Sequence, residues 1–219
     1  MSGELRGSGQ LSERYDEALL FAAAVHRAQL RKGTRIAYLS HLMSVSALVL
    51  EDGGSEIEAI AALLHDAIED GAPGTRQALA DRFGPEVSGI VAHCTDDEPI
   101  DGVKRPWAER KAEYLAGLAH ADTGALKVTA ADKLHNLRST LEDLRSDPQL
   151  TWPASNACVH QNLWYYASVL AAVAAKLPES RTVRSLDRTL DDVCTRLDMD
   201  RPEPSPLPPV CDTCAVVAR

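Results

Sequence analysis

An all-α fold is what this chain of 219 residues predicts, on three observations. Apolar residues recur at three- and four-residue intervals in segment after segment, the spacing that gathers them on one helical face. Start and stop signals bracket several of those segments. No stretch of useful length alternates apolar and polar residues as a half-buried strand would.

The first helix is expected from Ser12 to about Leu30. Tyr15, Leu19, Ala22, Ala23 and His26 share a face, and Glu13, Asp16 and Glu17 stand in the first turn, where the macrodipole favours acids. Arg31, Lys32 and Gly33 break the pattern, and a loop through Tyr38 leads to His41. There a second helix starts, runs to Leu50 and is closed by Asp52, Gly53 and Gly54. Ser55, with Glu58 three residues on, makes a capping box for a third helix. It ends near His65-Asp66-Ala67-Ile68-Glu69-Asp70, before Gly71, Ala72, Pro73 and Gly74. Two short helices follow, Thr75 to Phe83 and Pro85 to Cys94, with Pro85 suited to a first turn. A polar loop from Thr95 to Arg105 leads into a helix from Pro106 to Leu118. Another begins near Thr123 and carries Asp132 to Leu144, and the last two are Asn162 to Lys176 and Arg181 to Leu197. Residues 1–11 read as a flexible N-terminus and 12–198 as one domain. Residues 199–219, with prolines at 202, 204, 206, 208 and 209, read as an extended, disordered tail.

Composition narrows the function classes. Hydrophobic residues at 45% and charged residues at 25% are ordinary soluble usage, enough for a core and too apolar for disorder throughout. Lys plus Arg number 23 and Asp plus Glu 32, and the balance of −9 repels a phosphate backbone, so no nucleic-acid partner is expected. The apolar run from Ala18 to Val25 is stopped by His26 and Arg27, well short of the roughly 18 to 20 residues that span a bilayer, so no membrane is expected either. Met1 to Gln10 has no apolar signal-like run, and the odd count of five cysteines fits thiols in a reducing compartment, which together point to the cytoplasm. Cys94, Cys158 and Cys194 read as ordinary thiols, whereas Cys211-x-x-Cys214 is half of a zinc ribbon with no second pair nearby.

The chemistry concentrates in three places. On a continuous helix His65, Asp66, Glu69 and Asp70 would share one face, an imidazole among three carboxylates. Like charges packed so closely raise one another's pKa unless a cation compensates, and a divalent metal is the simplest cation to supply. A lone His-Asp pair at a helix end is usually just a solvated terminus, but two further features change that reading. His41 stands at the start of a helix whose next residues are apolar. Asp132 is an acid inside the core-like run Ala130-Ala131-Asp132-Lys133-Leu134, and buried acids are paired or metal-bound. Two histidines and two aspartates from three helices make a mixed nitrogen and oxygen shell suited to Mn²⁺ or Fe²⁺, with positions left for water or substrate.

The ordered set His41, then His65-Asp66, then the distant Asp132 resembles the HD superfamily of metal-dependent phosphohydrolases. The resemblance extends to the hydrolase domain of RelA/SpoT homologues and the small alarmone hydrolases. It is carried by His26-x-x-Gln29-x-Arg31-Lys32, by Ala61-Ala62-Leu63-Leu64-His65-Asp66-x-x-Glu69-Asp70, by Phe83-Gly84, Val87 and Thr95-Asp96, by Glu109-Arg110-Lys111, and by Ala131-Asp132-Lys133-Leu134-His135-Asn136. It covers about Ser12 to Arg145.

That resemblance implies Mn²⁺ held by His41, His65, Asp66 and Asp132, and removal of pyrophosphate from the 3′ position of guanosine tetra- or pentaphosphate. Glu69 and Asp70 would orient water and exchange protons, with Asp70 favoured for positioning the water. Arg31, Lys32 and Asn136 would contact substrate. His26 is read as structural, and His135, three residues from Asp132, is left outside the ligand set. A short Pro-rich tail leaves no room for a synthetase domain, so hydrolysis without synthesis is expected. Three departures stand out: Leu42 replaces the usual Pro, no Lys or Arg falls between Ser146 and Ala175, and Thr95-Asp96-Asp97-Glu98 is acidic where relatives carry a lysine. Lys104, Arg105, Arg110 or Lys111 are the available substitutes. The readings kept open are an HD phosphohydrolase of another nucleotide, such as NADPH or a nucleoside phosphate, and a nucleotide-sensing module without turnover. Oligomeric state is left open.

Overall fold

The computed structural model describes residues 10–97, 104–147, 150, 152 and 157–209. Its helices are α1 (Glu13–Val25), α2 (Leu39–Glu51), α3 (Glu56–Leu64), α4 (Ala67–Asp70), α5 (Thr75–Cys94), α6 (Trp107–Leu118), α7 (Thr123–Ser146), α8 (Val159–Lys176) and α9 (Arg181–Leu197). No strand occurs among the described residues, only an isolated antiparallel bridge between Leu30 and Ala37. The all-α expectation therefore holds. Among these residues no helix is long and apolar enough to cross a membrane.

α7 is the central helix. Gly124, Ala125, Ala130 and Ala131 are small enough to let neighbours approach, and α2, α3, α5, α8 and α9 all pack against it. The core around it includes Leu42, Ile60, Leu63, Leu64, Phe83, Leu134, Leu137 and Trp164, all nearly or fully withdrawn from solvent. The capping box read at Ser55 forms as expected, and the structure adds three further caps. Ser12, Asp122 and Ser180 each accept an amide hydrogen bond as N-caps, and Ser55 and Glu58 form the reciprocal capping box. Gly84, at φ 81 and ψ 176, kinks α5 into the two expected pieces, in a backbone region that essentially only glycine enters.

Three expectations need correction. α1 stops at Val25 rather than Leu30, because the chain turns back on itself: Arg31 N donates to Ile36 O and Tyr38 N to Gln29 O across a tip containing Gly33 at φ 75. That hairpin-like turn carries Arg31, Lys32 and Tyr38 toward α7. The segment read as one helix through Asp70 is two, separated at His65 and Asp66. The His65 ring takes the Ala62 carbonyl, the acceptor that a continuous helix would give to the Asp66 amide. Finally, residues 201–209 do not stand away from the body as an unpacked tail would. Trp164 is buried, its indole N–H donates to the carbonyl and hydroxyl of Ser205, and the Pro-rich segment lies against α8. Cys211 and Cys214, and the rest of the tail, lie outside the described residues.

Candidate metal centre and cleft

Three helices deliver the expected donors to one point. His41 comes from the first turn of α2, His65 from the end of α3 and Asp132 from the middle of α7. All three are buried, and each offers an atom within 4.8 Å of the others'. His41 Nε2 lies 3.2 Å from Asp132 Oδ1 and His65 Nε2 lies 3.6 Å from the same oxygen. Asp66, in the turn between α3 and α4, places Oδ2 at 3.0 Å from His65 Nε2 and 3.7 Å from His41 Nε2. The sequence-predicted set of His41, His65, Asp66 and Asp132 is thus brought together.

The donor set of this cluster fits a cation. His65 Nδ1 sits 2.8 Å from the Ala62 carbonyl, which can only accept, so Nδ1 carries a proton and Nε2 is the nitrogen turned toward the two carboxylates. That Nε2 is buried and has no hydrogen-bond partner. Asp132 is 7% exposed; burial would push its carboxyl up, but the Lys133 ammonium beside it holds it well below the usual range. Asp66 behaves alike: burial opposes ionisation, and the His65 imidazole then holds the carboxyl low. Burial opposes protonation of His65, but the Asp66 and Asp132 carboxylates push it well above the ordinary imidazole range, so two ionised acids and two imidazoles form a mixed nitrogen and oxygen donor set in which a divalent ion could take the place of that proton.

Each carboxylate is also held from behind. Asp132 Oδ2 takes Lys133 Nζ at 2.5 Å and Oδ1 takes Asn136 Nδ2 at 2.6 Å, while Asn136 Oδ1 accepts from Arg31 Nη2 at 3.0 Å. Lys133 is caged between the rings of Tyr114 and Tyr165, 5.5 Å from each centroid. Tyr38 donates to Asp66 Oδ2 at 2.6 Å, and its phenol is pushed far up by burial and by that carboxylate. Sequence reasoning missed Tyr38, although it precedes His41 by three residues, the interval at which side chains on a turn meet. Lys133 was legible only as part of a motif. His26, as expected, is structural: its Nδ1 pairs with Gln29 Oε1 and its ring stacks on Tyr38.

Glu69 and Asp70, predicted on one face with His65 and Asp66, diverge once the helix breaks. Glu69 turns toward α6: its Oε1 accepts from the Asp96 amide at 3.0 Å and its Oε2 meets Lys104 Nζ at 3.2 Å. Burial, then the neighbouring carboxylates of Asp96 and Asp66, push Glu69 up to about 7. Asp70 is exposed and accepts from Gln29 Nε2.

Two cavities meet beside the cluster, sharing Lys32 and Asn136. One, of about 390 Å³, lies toward α6 and is lined by Lys32, Lys104, Arg110, Lys111 and Lys133 together with Asp66, Glu69, Asp96 and Asp132. Of the four basic residues weighed as substitutes, three therefore face this cavity. Arg105 instead binds Asp97 and Glu113. Asp96 sits among the cations, bonded to Arg110 through both oxygens and to Lys111. The other cavity, of about 370 Å³, lies toward α8 and is lined by Arg31, Lys32, Thr34, His135, Asn136, Trp152 and Tyr166 among others. α8 itself brings no cation there, and Lys176 binds carbonyls at the end of α6 and beyond.

Comparison with known proteins agrees with this geometry. A family model described as HD domain matches residues 18–153. The chain is 37% identical over 125 residues to the guanosine-3′,5′-bis(diphosphate) 3′-pyrophosphohydrolase MESH1 of Xenopus tropicalis, covering 56% of this chain and 66% of that protein. It is 35% identical over 137 residues to the GTP pyrophosphokinase rsh of Brucella melitensis, covering 62% of this chain and 18% of that one. The match thus spans just under two thirds of the first relative and less than a fifth of the second. A solved structure described as a metazoan ortholog of SpoT that hydrolyzes ppGpp superposes with a TM-score of 0.65 at 27% identity, over 85% of this chain and 97% of its own. With the His, His-Asp and Asp elements converged on α2, α3 and α7 inside the matched stretch, the chain belongs to the HD domain family.

Proposed function

We propose that the protein is a Mn²⁺-dependent, cytoplasmic phosphohydrolase that removes pyrophosphate from the 3′ position of guanosine tetra- or pentaphosphate. The observation that carries this is the convergence of two imidazoles and two carboxylates, His41, His65, Asp66 and Asp132, beside a cavity lined by five cations. The names of the MESH1 relative and of the metazoan SpoT ortholog supply the substrate class.

In this reading His41, His65, Asp66 and Asp132 hold the ion, with Fe²⁺ an alternative to Mn²⁺. When bound, a divalent ion polarises a phosphoryl oxygen and makes water a usable nucleophile at neutral pH. Lys32, Lys104, Arg110 and Lys111 grip the diphosphate by charge-assisted bonds. Glu69, raised to about 7, is half protonated at neutrality and so can exchange a proton with water or the leaving oxygen. Asp70, tied to Gln29, orients water from the rim. Lys32 and Asn136, where the two cavities join, and Arg31 in the α8 cavity place the nucleoside there, between Tyr166 and Trp152.

The test is a panel. Purified protein with Mn²⁺ is offered guanosine tetra- and pentaphosphate, NADPH and simple nucleotides, and products are separated by ion exchange. GDP or GTP with stoichiometric pyrophosphate is expected from the guanosine polyphosphates. Turnover of another nucleotide alone would move the assignment within the family, and tight binding without product would make the chain a sensor.

A further inference from the structure

His135 takes no part in the reading above, yet it touches the centre. Its Nδ1 lies 2.8 Å from His41 Nδ1, with the ring centroids 4.8 Å apart. Two imidazole nitrogens at that distance share one proton, so one donates and the other accepts.

The direction follows from the other side of His41. Its Nε2 faces Asp132 Oδ1 at 3.2 Å and Asp66 Oδ2 at 3.7 Å, the side on which an ion would sit. A neutral ring that offers an Nε2 lone pair to an ion carries its proton on Nδ1. With an ion on that side, His41 Nδ1–H would donate and His135 Nδ1 accept. His41 is 1% exposed, so no water can replace that acceptor cheaply. Without it, the favoured escape is to move the proton to Nε2, where it meets the carboxylates and blocks the lone pair.

The two ligand rings are thus held by unlike means. His65 is fixed by the Ala62 carbonyl, which belongs to its own helix and cannot be removed by substitution. His41 is fixed by a side chain from α7, one turn from Asp132.

We propose that His135 is a positioning residue that locks His41 in the Nδ1–H tautomer and thereby sets the affinity of the centre for a divalent ion, without itself binding ion or substrate. This rests on the metal reading given under the proposed function. Partners behind ligating histidines are typically worth about 10–100-fold in metal affinity, which sets the scale expected here.

The test measures Mn²⁺ dissociation constants by competition with a fluorescent chelator, with no substrate present. His135→Phe, which keeps a ring and removes the acceptor, is expected to weaken Mn²⁺ binding about 10–100-fold. His135→Gln, which restores a carbonyl oxygen, is expected to recover most of the loss. Equal affinity in wild type and a folded His135→Phe protein overturns the proposal, as does a Gln variant no better than Phe. Nitrogen-15 spectra of the wild-type imidazoles, loaded with diamagnetic Zn²⁺, need no variant at all. A protonated His41 Nδ1 beside a bare His135 Nδ1 is expected, and a proton on His135 Nδ1 overturns the proposal. If wild-type protein binds Mn²⁺ no better than His65→Ala, the metal reading fails as well; if it binds and only the His135 results go the wrong way, that reading stands.

Discussion

The two cavities that join at Lys32 and Asn136 are close in volume, about 390 and 370 Å³, and opposite in character. The α6 cavity is a mesh of charge, with five cations interleaved with four carboxylates. The α8 cavity has two cations, Arg31 and Lys32, and one carboxylate, Asp143, among hydroxyls, amides and the rings of His135, Trp152 and Tyr166. The contrast follows from where each wall originates. The α6 cavity is closed by Asp96, Lys104, Arg110 and Lys111, which pair with one another or with Glu69 across the cleft. The α8 cavity is closed by a core helix, all of whose residues from Asn162 to Leu170 are buried. A ligand with a polyanionic end and a flat end is sorted by such a pair before any specific contact is made.

The contrast breaks most severely at its hinge. Asp132→Ala removes a carboxylate oxygen from the cluster and leaves the Lys133 ammonium buried without its anion. Loss of one partner of a buried pair costs about 3–5 kcal/mol of stability, read from urea denaturation. A bound ion supplies several kcal/mol of transition-state stabilisation, so turnover falls at least about 10³-fold. A variant with normal metal content and activity would remove Asp132 from the centre.

Asp96→Asn sharpens the contrast instead. Burial opposes ionisation of Asp96, but Lys111 and then Arg110 hold its carboxyl low, so it occupies the place an incoming phosphate would take between them. Neutralising it frees two cations, and inorganic pyrophosphate should inhibit roughly tenfold more tightly, about 1.4 kcal/mol. Folding stability drops by about 3 kcal/mol, because Arg110 is buried. Weaker pyrophosphate inhibition would show that the α6 cavity is not the anion side.

Glu69→Gln tests the same cavity through pH. Folded Glu69 titrates near 7 against 4.5 for an ordinary glutamate. The native state therefore binds more protons than the unfolded one between those values. Its contribution to stability is whole below pH 4.5 and fades as pH rises through 7. Relative to the Gln variant, wild-type stability should decline across that window by no more than about 1.4 kcal/mol per pH unit. In kcat/KM the wild-type inflection near neutrality should vanish in the variant. Parallel stability curves would place Glu69 in water.

Much of this was readable from residues alone. The third helix announced itself where a cap preceded a periodic run, at Ser55, whereas the caps at Asp122 and Ser180 emerged only in the structure. The ligand set announced itself because acids and imidazoles inside apolar stretches need a partner. What escaped was decided by contacts distant in sequence. Nothing local says that His65 will take the Ala62 carbonyl, so the break that sends Glu69 and Asp70 apart was invisible. Asp96 read as a departure because its cations arrive from α6, 14 and 15 residues on. The strap at 201–209 read as unpacked because Pro predicts an extended backbone and not its company. The buried Trp164 indole was the available clue, since such a donor seldom goes unpaired.

The smallest effect tests the flat side of the contrast. Tyr166 is buried at the cavity wall, and its ring is fixed beside Trp152 and Tyr165, at centroid distances of 6.3 and 6.1 Å. Tyr166→Phe keeps that ring, and with it the stacking surface, and removes one hydroxyl. A single neutral hydrogen bond is worth about 0.5–1.5 kcal/mol, so KM for a nucleotide should rise roughly 2- to 12-fold with kcat little changed. Pyrophosphate inhibition and Mn²⁺ affinity should not move, since Tyr166 lines only the α8 cavity of the two. That pattern, KM without pyrophosphate, is the signature of two separable sides. A Tyr166→Phe protein that also loses pyrophosphate binding would mean the cavities act as one continuous anion groove, and the sorting by charge and flatness would have to be abandoned.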